Sequence, residues 1–136
     1  MYRITLFIVL AALILTGCQP TTSKSEYSTV QVCKDLALFK TSLEKLKNMD
    51  ATASLTELDA QLSVVRQNLM NLTQSAANMM TVDLTTLNEA ITNLVEARDQ
   101  LPDDASIKEI LKSLEEEIAA VSKATDAANT NLKCVN

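Results

Sequence analysis

Apolar residues recur along most of this chain at intervals of three and four. Val32, Leu36, Phe39, Leu43 and Leu46 are spaced 4-3-4-3, which lines one face of a helix because a turn holds 3.6 residues. Asp50-Ala-Thr-Ala-Ser54 interrupts the pattern. Ser54-Leu-Thr-Glu57 then has the form of a capping box, in which the serine oxygen accepts the Glu57 amide and the Glu57 carboxylate reaches back. A second stripe, Leu55, Leu58, Leu62, Val65, Leu69, Leu72, Ala76 and Met79, keeps the 3-4 alternation over eight positions. A third passes through Leu84, Leu87, Ile91, Leu94 and Leu101, with Arg98 taking one of its places. Pro102 and Asp103-Asp104 close that run and open the next, since proline does not continue a helix and acids favour a helix start. The last stripe is Ile107, Leu111, Leu114, Ile118, Val121, Thr125, Ala128, Leu132 and Val135.

These runs predict an all-α fold, an antiparallel up-down helical bundle with four helices of roughly 19, 25, 18 and 30 residues. The second and third runs align at an offset of 29: Ser54, Leu55, Leu58, Leu62, Val65 and Leu72 fall on Asp83, Leu84, Leu87, Ile91, Leu94 and Leu101. Each copy then begins with a residue able to cap a helix. The alternative is three helices with one long central helix over 55–101, about 70 Å at 1.5 Å per residue, carrying a stutter near Met79 and Met80. Met80-Thr-Val-Asp83 favours the break, because poor helix formers there precede a good cap.

The first 17 residues follow another rule. Arg3 is the only charge before Ile4–Leu15, an apolar run of 12 residues. A membrane-spanning helix needs about 20 such residues, so the run suits the core of a signal peptide. It ends in Leu15-Thr16-Gly17-Cys18. This resembles the lipobox of bacterial lipoproteins: an aliphatic residue, a small one, Gly or Ala, then Cys. The resemblance implies cleavage between Gly17 and Cys18 and attachment of diacylglycerol to the Cys18 thiol. Gln19 at the following position resembles cargo sorted to the outer membrane where a cell has two membranes. Where it has one, the protein stays on the outer face of the plasma membrane. The rival reading is an uncleaved anchor, or an ordinary signal peptide with a chance cysteine. Residues 18–29 are polar and rich in Ser and Thr, which reads as the lipidated Cys and a flexible tether reaching at most about 40 Å. Residues 30–136 then form the helical domain, and Tyr27 touches its edge. The mature part is also similar to small bacterial helical lipoproteins with a Cys near each end of the helical region, which brings no activity with it.

With Cys18 claimed by lipid, Cys33 and Cys134 remain, near the two ends of the helical region. Both topologies return the last helix to the end where the first begins. An envelope compartment permits disulfides, so a Cys33–Cys134 bond is expected, the alternative being two buried free thiols.

Composition narrows the chemistry. The 136 residues include no His and no Trp, a single glycine (Gly17), and four aromatics: Tyr2, Phe7, Tyr27 and Phe39. A glycine-rich phosphate loop and any His-based catalyst or metal site are therefore excluded. Past residue 17 there are 11 basic and 17 acidic side chains, a net −6. With no basic cluster and no stacking aromatics, nucleic acid is not an expected partner, and adhesion to anionic lipid should rest on acyl chains. Ser42-Leu-Glu-Lys45 matches the Ser-x-x-Lys of serine acyltransferases but lacks their companion motifs. Glu115-Glu116-Glu117 fan around a helix and converge on no cation. Asn71-Leu-Thr73 falls within a helical stripe, Met79 and Met80 read as packing, and Arg98 reads as a side chain reaching solvent from a helix end. The expectation is a non-catalytic, lipid-anchored helical module of the bacterial envelope, with no cofactor and no metal. It would be a monomer with a structural or protein-interaction role and an envelope protein as its partner. The alternative is a ligand-binding or sensor domain with a small apolar pocket between helices.

Overall fold

The computed structural model describes residues 24–77, 79 and 83–134. Among them are five helices and no strand: α1 Lys24–Lys47, α2 Leu55–Ala76, α3 Thr85–Asp99, α4 Ile107–Ser113 and α5 Glu115–Leu132. The apolar stripes are the buried sides of these helices. Val32, Leu36, Phe39, Leu43 and Leu46 from α1 join Leu58, Leu62, Val65, Leu69, Leu72 and Ala76 from α2 in one core. Leu87, Ile91 and Leu94 from α3 and Ile107, Leu114, Ile118, Val121 and Leu132 from the C-terminal region complete it. Removal of this surface from water is the main stabilising term.

Polar contacts between helices fix their directions. Gln61 Nε2 donates to the Ser42 carbonyl at 2.7 Å and Asn68 Nδ2 to the Leu38 carbonyl at 3.3 Å. Advancing positions of α2 thus meet receding positions of α1. Lys40 Nζ lies 3.8 Å from Asp126, and Cys33 of α1 is bonded to Cys134 just past α5, so α1 and α5 also run in opposite directions. Near the other end Arg98 of α3 reaches Asp59 of α2 at 3.1 Å. The most extensive packing joins α1 to α2 and α3 to α5; α1 and α5 meet along a narrower seam, and α2 and α3 touch little.

The helix starts explain the breaks. Ser54 accepts the Glu57 amide at 3.2 Å and its own amide donates to Glu57 Oε2 at 2.7 Å, the capping box expected from the sequence. Ser106 and Glu109 form a second box at the start of α4. No single helix spans 55–101: α2 ends at Ala76 and α3 begins at Thr85. The cap of α3 differs from expectation. Leu84 holds the cap position, with no side-chain cap bond, while Asp83 Oδ1 accepts the Thr85 amide at 2.8 Å. Leu84 is buried, so core packing claims the cap position and the carboxylate acts from one residue earlier.

Two boundaries also move. α1 already includes Lys24, inside the stretch that reads as a tether. The last run is two helices, meeting at Leu114 with φ −94° and ψ 3°. Backbone bonding continues across the junction, from Leu114 N–H to Ile110 and from Ile118 N–H to Leu114. The break falls before Glu115, Glu116 and Glu117, whose charges suit the positive end of a helix dipole better than a helix interior. In α4 the buried set becomes Ile107 and Ile110, and Leu111 is half-buried.

Candidate functional site

Leu15, Thr16, Gly17 and Cys18 lie outside the described residues. The other predicted site pair does not: Cys33 and Cys134 are joined, with Sγ atoms 2.00 Å and Cα atoms 5.4 Å apart. Cys33 follows the buried Val32 on α1. Cys134 is brought to it by the end of α5, where Lys133 adopts φ 52° and ψ 36°. The Lys133 amide donates to the Thr130 carbonyl and the Cys134 amide to the Asn129 carbonyl, the two bonds of a Schellman turn. Glycine usually holds that left-handed position; this chain places a lysine there.

Arg98 was expected to reach solvent from its helix end. Instead it is 6% exposed, and its Nε and Nη2 are engaged within the fold. Nε and Nη2 donate to the two oxygens of Asp59 at 3.1 and 3.4 Å, and Nη2 also meets Asp103 at 3.4 Å. The cluster ties α2, α3 and the turn after Pro102. Nothing in the 3-4 spacing distinguishes it from a snorkelling arginine, because Asp59 is 39 residues away in sequence.

A surface groove of about 540 Å³ lies between the end of α1 and the α4–α5 junction, lined by Lys47, Leu111, Lys112, Glu115, Ile118, Ala119 and Ser122. It is open to solvent. Lys47 is held 3.2 Å from Glu44, so the groove's two ammonium groups do not act as a free pair. Ser42 is buried and its hydroxyl donates to the Phe39 carbonyl at 2.7 Å, whereas Lys45 is exposed; the Ser-x-x-Lys spacing does not make a Ser–Lys pair. Glu115 and Glu116 are exposed, and Glu117 is half-buried with Oε2 unpartnered. Asn71 is exposed on α2 and accepts from Gln67, and Met79 packs against the core, while Met80 lies outside the described residues. Among the described residues no three potential metal ligands gather, and no helix is long and apolar enough to cross a membrane.

Four carboxylates titrate below their ordinary range, each through a local hydrogen bond. The Thr52 hydroxyl and amide stabilise the ionised Asp50, and the Thr85 side chain and amide do the same for Asp83. The Ser54 amide and hydroxyl act on Glu57, and the Ser106 hydroxyl and amide on Glu109. All four sit at helix starts or in turns, where they fasten the backbone.

Comparison with protein-family models, curated proteins and solved structures finds no match to this chain.

Proposed function

We propose that the chain is a lipid-anchored, non-catalytic helical module of a bacterial cell envelope, with a structural or protein-interaction role. One observation carries the reading: an uncharged apolar run too short to span a bilayer ends directly in Leu15-Thr16-Gly17-Cys18. The Cys33–Cys134 bond supports it, because such bonds persist outside the reducing cytoplasm. In this reading Cys18 carries the lipid, and Gln19 directs the protein to an outer membrane where there is one. The domain is then a monomeric, antiparallel up-down bundle of four helices, with α4 and α5 counted as one helix bent at Leu114. Metabolic labelling with a fatty acid tests the anchor. The wild type should incorporate label and lose its first 17 residues; Cys18→Ser should do neither, because only the thiol accepts diacylglycerol. Label retained by the serine variant would refute the anchor.

A further inference from the structure

The charge of this domain is unevenly distributed along its length. Divide it at the Lys40–Asp126 ion pair. On the side of the disulfide lie residues 29–40, 65–77, 79, 83–92 and 126–134, which carry four acidic and four basic side chains. On the other side lie 41–64 and 93–125, with twelve acidic and six basic. The whole net charge of −6 therefore belongs to the half away from the disulfide. The assignment of ends follows from the contacts already described: Cys33 with Cys134 at one end, and Arg98 with Asp59 toward the other.

The chain enters at the neutral end. α1 includes Lys24, so no more than five residues separate the helix from Cys18. Fully extended, that link reaches at most about 20 Å. From Lys34 to Lys40 the helix rises about 9 Å, roughly one Debye length at physiological salt, and Glu44 lies about 15 Å from Lys34 along the axis. An upright domain thus holds its acidic half beyond about one Debye length from an anionic bilayer, and a domain lying flat would bring part of that acidic surface into the field. At the disulfide end Val30 is 66% exposed, and the cations Lys34 and Lys133 and the acid Asp83 are exposed.

We propose that the Cys33–Cys134 end of the domain is a lipid-facing surface, holding the helices upright on an anionic bilayer with the acidic half turned outward. The proposal rests on the lipid anchor for its setting, but its test supplies the anchor chemically. The mature chain, beginning at Cys18, is coupled through that free thiol to a maleimide lipid in vesicles of phosphatidylcholine with one quarter phosphatidylglycerol. A water-soluble acylating reagent then reads each lysine by mass spectrometry, on vesicles and in solution. Lys34 and Lys133 should lose reactivity several-fold on vesicles, while Lys45, Lys108 and Lys112 keep theirs. Equal protection of all five, or preferential protection of Lys45 and Lys108, would overturn the proposal. A second variant tests the cause. Asp104→Lys with Glu115→Lys and Glu116→Lys neutralises the far half, since each replacement adds two charges. It should tip the domain and protect Lys45 and Lys108 as well; a pattern identical to the wild type would remove the electrostatic basis. Failure of fatty-acid labelling in cells would bear on the anchor alone, because vesicle coupling does not use it.

Discussion

Arg98 and Lys133 hold positions that run against their type. A buried guanidinium normally costs several kcal/mol of desolvation, offset here by three hydrogen bonds to Asp59 and Asp103. Both carboxylates stay largely in water, at 52% and 85% side-chain exposure, so their charge is screened and the ion pairs themselves contribute little. The volume that Arg98 fills between α2 and α3 is the larger asset. Arg98→Ala should therefore destabilise by about 2–4 kcal/mol through the void it leaves, whereas Arg98→Met should cost less than about 1 kcal/mol. Urea unfolding separates the two; equal losses would mean that charge, and not volume, is what the site requires. Lys133 holds a left-handed backbone that costs a non-glycine residue roughly 1 kcal/mol. Its side chain is exposed and no packing would be lost. Lys133→Gly should thus raise stability by about 0.5–1 kcal/mol, read from the urea midpoint at unchanged slope.

At the scale of elements, the apolar period alone located α1, α2 and α3, because each helix presents one buried stripe and its exposed side carries polar residues that do not blur it. The Ser54–Glu57 box was legible for the same reason that it works: both partners lie within one turn. The limits of legibility are equally physical. The inclusion of Lys24 in α1 was not legible, because the polar residues there carry no apolar period. The split at Leu114 and the start of α3 at Leu84 are set by burial, which a one-dimensional pattern does not record. The Cys33–Cys134 pairing was legible because any antiparallel return brings those positions together, but the Arg98–Asp59 contact was not, because it depends on which faces of α2 and α3 meet. The caps make a further prediction. Glu57 and Glu109 have folded pKa values depressed below the usual 4.5, through bonds from Ser54 and Ser106. A depressed carboxylate stabilises the fold fully above its unfolded pKa, and that stability is lost as pH falls through the folded value. Thermal midpoints of the wild type should hold above pH 4.5 and decline below it. Glutamine keeps the geometry of the box without titrating. Glu57→Gln with Glu109→Gln should therefore show a shallower acid decline; an unchanged decline would assign the acid sensitivity to other carboxylates.

The described helices form two well-packed halves, α1 with α2 and α3 with α5, and the weakness lies between them. α2 and α3 touch little, and α1 meets α5 along a seam whose α5 side is built partly of small residues, Ala124, Thr125 and Ala128. Such residues bury little area, and a helix end that packs with them opens easily. Cys33–Cys134 crosses this seam at the chain's extremes, 101 residues apart in sequence. One bond thus holds the final turn of α5 in place and also joins the first half of the fold to the second. Closing a loop of that length stabilises by about 4–5 kcal/mol when the cost is counted as lost disorder of the unfolded chain. For a domain of this size that corresponds to a fall in Tm on the order of 10–20 °C when the bond is removed. Cys33→Ser and Cys134→Ser should each show that fall, and the double variant should show no more, because either change removes the same single bond. A reductant should lower the Tm of the wild type to the level of the variants and leave the variants unmoved. The seam should also loosen locally: amide exchange in α5 from Ala124 to Leu132 should accelerate most on reduction, ahead of α2, which is held by its long contact with α1. Two free, alkylatable thiols in protein purified without reductant would show that the halves are held by packing alone.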